Sequence, residues 1–182
     1  MTPEQKNAVV DLVLGRITHE KFVSRFGLDP AGQPGFAEVA LRDALASRDA
    51  GTVECAYYLA LHFDLLTISL APVLAELLLQ PWHNRHEDIA KELQSLRDPA
   101  TADALAEAAV NKLEYLAYDD SHPLARKCTW ALADIGTPEA RMHLERLAHN
   151  SDAEIAGYAQ KRLDNWEREM GRKGLNAGQP RR

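Results

Sequence analysis

The sequence predicts an all-α fold in which antiparallel helical hairpins stack into an α-solenoid behind a short non-repeat helical leader. Helix start signals recur at short intervals, and strand signals are nearly absent. In the second half of the chain, apolar and turn positions recur from one predicted hairpin to the next. A repeat built from two helices is typical of solenoids, in which each hairpin buries its apolar faces against the next.

The first 50 residues contain helices that lack the repeat. Thr2-Pro3-Glu4-Gln5 combines an N-cap threonine, a proline at the first helical position and a glutamine that completes a capping box, which predicts a helix over 3–14. Thr18 caps a second short helix, and a third is predicted over 36–48 after a loop rich in glycine and proline. We expect this leader, residues 1–50, to pack on the repeat block that follows.

Residues 51–170 form the predicted repeat block. Asp98-Pro99, Thr137-Pro138 and Ser151-Asp-Ala-Glu154 are start signals for three of its helices. Connections of two to five residues separate successive helices, and such short connections force neighbouring helices to run antiparallel. The predicted helices cover 53–63, 68–80, 84–96, 100–117, 122–135, 138–149 and 152–168.

Internal repetition supports the block. When the sequence is shifted along itself so that Ile89 lies on Cys128, the small apolar, large apolar and turn positions of one hairpin align with those of the next. The other aligned pairs are Leu93 and Leu132, Leu96 and Ile135, Pro99 and Pro138, Leu105 and Leu144, and Ala109 and Ala148. A second, shorter shift, which lays Leu124 on Ile155, begins one more unit.

The segment from Leu124 to Ala140, followed by Ser151-Asp-Ala-Glu-Ile155, resembles a HEAT repeat of the short bacterial type. The resemblance is fairly specific over 84–168 and looser over 52–80. The order of a helical leader, a repeat block and the run Trp82-His-Asn-Arg-His-Glu-Asp88 is also similar to small bacterial HEAT proteins encoded near toxins. This second resemblance implies an immunity protein that binds and blocks a toxin domain.

Charge is distributed unevenly along the chain. The whole sequence carries a net charge of −6, but residues 171–182 contain four basic and no acidic residues, so residues 1–170 carry −10. An acidic body repels phosphate backbones, which argues against a nucleic-acid partner, and it attracts basic proteins. The basic tail, residues 171–182, has almost no apolar side chain to bury, and we expect it to be disordered.

The sequence predicts a cytoplasmic protein without membrane contact. No apolar run approaches the ~18–20 residues of a membrane-spanning helix, and the N-terminus lacks the basic and apolar segments of a secretory signal. Cys55 and Cys128 each lie in an apolar helical pattern and are far apart. We interpret both as small buried apolar residues, which fits a reducing compartment.

The run from Trp82 to Asp88 is the one that most resembles a metal site. His83 and His86 are three residues apart on one helix face, and a His-Glu pair opening a HEAT helix resembles the di-iron hydroxylases built from such repeats. That family needs a His-Glu pair in each of four helices. The shift that aligns Ile89 with Cys128 instead carries His86-Glu87 onto Ala125-Arg126. We therefore predict no metal, and capping, hydrogen-bonded roles for these side chains.

The sequence also lacks the residue patterns typical of covalent catalysis. The chain has no Gly-x-Ser-x-Gly motif and no glycine-rich phosphate loop, and neither cysteine has an adjacent histidine. The remaining enzyme alternatives are a chromophore lyase, whose short HEAT-like repeats look similar, and a helical-repeat DNA glycosylase, which would need a basic face. We predict no enzyme, no cofactor and no small-molecule substrate.

Two clusters are candidate partner-binding residues. The main one combines two tyrosines with neighbouring acids, a composition typical of interfaces. Its members are Glu107, Glu114, Tyr115, Tyr118, Asp119 and Asp120. The alternative is structural, with the tyrosines packed between hairpins and an acid capping the next helix. The second cluster lies at a turn and contains Trp82, Arg85 and His86, whereas Trp130 and Trp166 are predicted to lie in the core.

The leading functional hypothesis is therefore a toxin-neutralising immunity protein whose partner is a basic protein domain. Electrostatic attraction would speed its association with such a partner. The main alternative is a general scaffold or adaptor for a cellular protein.

Overall fold

The structure is a computed structural model that describes residues 1–117, 121–168 and 170. Within these residues all regular structure is helical and no strand occurs, which confirms the all-α prediction. The α-helices are α1 Pro3–Val13, α2 His19–Phe26, α3 Phe36–Ser47, α4 Ala50–His62, α5 Ala71–Leu78, α6 His86–Leu96, α7 Ala102–Ala108, α8 Pro123–Ile135, α9 Pro138–Ala148 and α10 Ala153–Asp164. Short 3-10 turns cover Pro30–Gly32, Ile68–Leu70, Pro99–Thr101 and Glu114–Leu116.

Three helices begin at the predicted threonine caps, whereas α10 is capped by Asp152 and not by the predicted Ser151. The Thr2 hydroxyl accepts from the Gln5 backbone N–H at 3.2 Å, and the Gln5 side chain accepts from the Thr2 N–H at 2.9 Å, so both bonds of the capping box are present. Thr18 and Thr137 likewise accept from the backbone three residues on. Gly136 ends α8 in the left-handed region, with φ of 73°, which glycine adopts without steric cost.

Compactness divides the chain into two units: unit 1 runs from Met1 to Arg85 and unit 2 begins at His86. In unit 1, α1 packs on α2 and α4, and α3 packs on α4 and α5. The predicted leader thus packs with α4, the first helix of the predicted repeat block. The division of 1–50 from 51–170 rests on repetition rather than compactness, and it stays a prediction.

The core around α1 and α2 is aromatic and aliphatic. Phe22 and Phe26 stack with ring centroids 4.9 Å apart. Burying a large apolar side chain contributes about 1.5–3 kcal/mol, so this cluster is a main source of stability for these helices. Its buried members are Ala8, Val9, Leu12, Phe22, Phe26, Cys55 and Leu59.

In unit 2, α6 packs on α8 and α8 packs on α10, while α7 and α9 pack on each other and on α8. Two contacts fix α6 beside α8: Lys127 pairs with Glu87 at 3.3 Å, and the Gln94 amide donates to Asp134 at 2.6 Å. α10 also packs on α9, so α8 and α9 each contact several neighbouring helices.

The predicted helix over 100–117 is wrong in its second half, because α7 ends at Ala108. The N–H groups of Val110 and Asn111 bond to the carbonyls three residues back, and Leu113 is extended, with φ of −102° and ψ of 123°. A β-branched valine followed by asparagine lowers helix propensity here. The interruption leaves an irregular segment between α7 and α8.

No helix in the described part of the chain combines the length and the apolar character that a membrane span requires.

Candidate functional site

The predicted cluster around Trp82 is held by a network within unit 1. The indole Nε1 of Trp82 donates to the Gln80 side chain at 3.2 Å. Arg85 pairs with Glu54, donates to the Tyr58 hydroxyl at 2.7 Å and lies over the Tyr58 ring, 4.7 Å from its centroid. Arg85 therefore ties the end of unit 1 to α4.

His83 is buried at the centre of this turn. Its Nε2 lies 2.8 Å from the Leu77 carbonyl oxygen, and its Nδ1 lies 3.1 Å from the Arg85 backbone nitrogen. A carbonyl can only accept and an N–H can only donate, so the proton resides on Nε2 and Nδ1 accepts. This agrees with the predicted hydrogen-bonded role. Burial lowers the pKa of His83, against the opposing effect of the Leu77 carbonyl.

His86 and Tyr115, which the sequence placed in different clusters, meet in unit 2. The Nδ1 of His86 and the hydroxyl of Tyr115 are hydrogen-bonded at 2.9 Å. His86 is 1% exposed, so it would influence a bound partner by holding the side chain of Tyr115 in position. The pair fixes the 3-10 turn at Glu114–Leu116 against the start of α6.

No group of three or more histidine, cysteine, aspartate or glutamate side chains is arranged to hold a metal ion in the parts of the chain that the structure describes. His83 and His86 are each engaged in the hydrogen bonds given above.

The acids of the main cluster lie in and after α7. Glu107 is exposed in the last turn of α7, and Glu114 is exposed at the start of the following 3-10 turn. Neither has an ion-pair partner among residues 1–117, 121–168 and 170. Tyr118, Asp119 and Asp120, the other predicted members, lie outside the described residues.

The irregular segment after α7 forms a cavity with the start of α8. Its volume is about 200 Å³. Most of its lining is apolar, and Asn111, Lys112 and His122 supply polar groups at the wall. The apolar lining comes from Ala109, Val110, Leu113, Leu116, Ala117, Pro123, Leu124, Ala125 and Ile155. We call this depression the α7–α8 cavity.

A groove between α7 and α9 adjoins the cavity. It has a volume of about 570 Å³, and Asp103, Glu107, Arg146 and Leu147 are among its lining residues. Val110 lines both the groove and the cavity and is 43% exposed. An exposed apolar side chain therefore connects an apolar depression to a surface that carries carboxylates.

A contact between His122 and Asp152 supports the wall at α8. His122 Nε2 lies 2.9 Å from Asp152 at the start of α10. Burial tends to raise the pKa of Asp152, but hydrogen bonds from the Ile155 and Glu154 N–H groups, together with the charge of His122, outweigh it and lower the pKa. Asp152 thus caps α10 as a carboxylate.

The prediction of a core position is wrong for Trp130. Its side chain is 40% exposed, whereas Trp166 is buried as predicted. Arg126 is four residues before Trp130 and Asp134 four residues after it, so Trp130 belongs to the polar stripe of α8. That spacing was the signal that could have identified it.

Comparisons of this chain with protein-family models, curated proteins and solved structures gave no match.

Proposed function

We propose that this chain is a protein-binding helical-repeat protein and that unit 2 binds its partner at the α7–α8 cavity. The observation that carries the proposal is the exposed side chain of Val110, which joins the apolar cavity to a surface bearing Glu107. Protein interfaces combine an apolar centre that loses water with a polar rim. Glu114, between the lining residues Leu113 and Leu116 in the chain, supplies a further carboxylate to that rim.

The size of the cavity favours a protein partner over a small ligand. Sites for drug-sized molecules typically enclose roughly 300–1,000 Å³. A cavity of about 200 Å³ instead suits a single apolar side chain. Such an anchor, inserted from a partner surface, is the usual centre of an interface hot spot.

The architecture proposed for unit 2 is a HEAT-like solenoid. The packing of α6 on α8, of α8 on α10 and of α7 on α9 supports it, as does the recurrence of matching apolar positions such as Ile89 and Cys128 in successive hairpins. Stacked hairpins leave a long surface for partner binding.

The proposed partner is a basic protein domain, most specifically a bacterial toxin domain that this chain blocks as an immunity protein. Nine acidic and three basic residues lie between positions 86 and 120, so a basic partner would be attracted to this part of unit 2. The resemblance of the chain to small HEAT immunity proteins supports the choice of a toxin.

The test begins with capture of partners by the tagged full-length chain from the cells that encode it. We expect one basic protein to be retained in stoichiometric amount. Val110→Glu places a charge at the cavity mouth, and Glu107→Lys with Glu114→Lys reverses the rim, so each variant should lose the partner. The matched control, Glu139→Lys with Glu154→Lys, reverses two exposed acids at the starts of α9 and α10 and should retain it.

The partner is then produced alone and together with this chain. An immunity protein should restore the growth that its toxin arrests, whereas a scaffold would have a harmless partner. Retention that is equal for the rim variant and the control would contradict the proposed site, and the absence of any stoichiometric protein would contradict the proposed function.

A further inference from the structure

A second surface of unit 2 centres on Trp130. The guanidinium carbon of Arg162 lies 3.6 Å from the centroid of the Trp130 ring. Arg162 is 4% exposed, whereas Trp130 is 40% exposed. The indole is therefore held by a cation–π contact on one side while a large part of it faces solvent. An aromatic side chain fixed in this way loses little conformational entropy when a partner covers it.

The contacts between α6 and α8 show what lies beside the indole. Glu87 and Gln94 on α6 contact Lys127 and Asp134 on α8. On α6, Lys91 lies between Glu87 and Gln94, four residues after the first and three before the second, so the three side chains share one face of the helix. Trp130 lies in the same way between Lys127 and Asp134. Lys91 and Trp130 consequently occupy neighbouring positions on the outward side of the two helices.

Two further cations flank Trp130. Arg126 precedes it by one turn on α8, and Lys161 is adjacent to Arg162 on α10. Lys91, Arg126 and Lys161 are all exposed, and none has an ion-pair partner within the described ranges.

Three carboxylates lie close to this side: Glu87, Asp134 and Asp164, which follows Lys161 by three residues on α10 and accepts from the Gln160 amide. Glu87 pairs with Lys127, and Asp134 accepts from Gln94. Glu154, exposed on α10, is seven residues before Lys161, which is about 10 Å along the helix. The neutral amide donors leave Asp134 and Asp164 charged, so the positive charge beside Trp130 comes from Lys91, Arg126 and Lys161, in a chain that carries −6 as a whole.

Gly157 adds an independent observation. It lies inside α10, is exposed and lacks a positive φ, and a Cβ atom added to it would have no neighbour within 4 Å. Glycine inside a helix costs about 0.5–1 kcal/mol relative to alanine. Neither backbone conformation nor packing requires this glycine. Because glycine has no side chain, the backbone of α10 is uncovered at this position, one turn before Lys161, and another chain can approach the helix closely there.

We propose that Lys91, Arg126, Trp130, Gly157 and Lys161 form a docking surface for an acidic segment of a partner protein. Trp130 is the anchor, the three cations attract the acidic side chains, and Gly157 admits the backbone of the segment. This surface shares no residue with the α7–α8 cavity or the adjoining groove. It is thus a second binding surface, independent of the proposed function.

Single-stranded nucleic acid is the other polyanion that cations beside an aromatic ring attract. The acidic net charge of the chain opposes the approach of a long polyanion, whereas a short acidic segment needs only this local surface. The observations therefore favour an acidic peptide.

To test this, a phage-displayed library of random 12-residue peptides is selected for binding to the full-length chain. The affinity of the chain for synthetic copies of the enriched peptides is then measured. We expect enriched peptides to carry net negative charge and at least one apolar residue, and to bind more weakly as salt is raised. Trp130→Ala should weaken their binding about 30-fold, as truncation of a hot-spot aromatic does. Arg126→Glu with Lys161→Glu should abolish it.

The control is Lys21→Glu with Arg97→Glu, which makes the same charge change at exposed cations elsewhere in the chain and should leave affinity within about twofold. Circular dichroism verifies each variant. If Trp130→Ala fails to fold, Arg126→Glu with Lys161→Glu, which changes exposed side chains alone, still tests the proposed surface. Enrichment without acidic peptides, binding unaffected by either change, or binding of a dT oligonucleotide in place of the acidic peptides would each overturn the proposal.

Discussion

Lys6 and Asp49 join α1 to α4, with the ammonium nitrogen of Lys6 2.7 Å from each carboxylate oxygen of Asp49. Asp49 is also the N-cap of α4, because it accepts from the Thr52 N–H at 3.1 Å. The hydrogen bond from Lys6, helped by those from Thr52 and opposed by burial, lowers the pKa of Asp49 to about 2.

This pKa predicts an acid-dependent loss of stability. The unfolded chain binds the Asp49 proton near pH 3.8 and the folded chain near pH 2, so the contribution of Asp49 is complete above the first value and disappears as the pH falls toward the second. Asp49→Asn should remove this dependence while keeping a cap, and Asp49→Ala should cost about 1 kcal/mol more. Thermal melts between pH 2 and pH 6 compare the three proteins. Parallel curves for wild type and Asp49→Asn would contradict the prediction.

His83 predicts a second pH dependence, nearer neutrality. Burial lowers its pKa below 6.5, so the unfolded chain gains a proton first as the pH falls, and the free energy of unfolding decreases below that pH. A proton on Nδ1 would also point at the Arg85 N–H, which is a donor. His83→Gln should be less stable at pH 7.5 but lose less between pH 7.5 and pH 5.5. Urea unfolding at the two pH values measures this, and an equal loss in both proteins would count against it.

Glu107 should contribute to binding at some expense of stability. It lies in the last turn of α7, where the helix dipole favours a cation. Glu107→Lys should therefore leave the melting temperature unchanged or raise it, by up to the ~1 kcal/mol typical of such sites. Glu154→Lys, in the first turn of α10, should lower it by a similar amount. Destabilisation by both changes would indicate that Glu107 has a structural role.

Gly157→Ala should stabilise α10. The added methyl group meets open space, so the change removes the entropy cost of glycine without a clash. A gain of about 0.5–1 kcal/mol corresponds to a rise of about 1–4 °C in the melting temperature of a chain of this size. Differential scanning calorimetry measures this rise. A lower melting temperature would show that the glycine has a packing role.

The helix starts could be predicted from the sequence because caps are local. Thr2, Thr18 and Thr137 each accept a bond from the backbone three residues on, and no tertiary contact is needed to recognise that pattern. The end of α7 could not be predicted in this way. Apolar residues continue at helical spacing through Leu113 and Leu116, and only the weak propensities of Val110 and Asn111 signal the interruption.

The site residues likewise include contacts that no local sequence pattern reveals. The hydrogen bond between His86 and Tyr115 joins residues 29 apart in the chain, so it depends on how α6 meets the irregular segment. The prediction of a core Trp130 rests on its place in the apolar pattern of the helix, although its neighbours at positions 126, 127 and 134 are all charged. Exposed tryptophan is rare enough that composition favours the core, and the contact with Arg162, which holds the exposed indole, depends on tertiary structure.

Each unit contains one of the two cysteines, Cys55 in unit 1 and Cys128 in unit 2. Both are buried, and burial raises the pKa of both thiols. Only the thiolate attacks a disulfide reagent, so neither cysteine reacts until its surroundings open. Each unit of the native chain therefore contains its own probe of local opening. The labelling rates of the two thiols, read by peptide mass, report how often each unit opens and whether the two open in the same event.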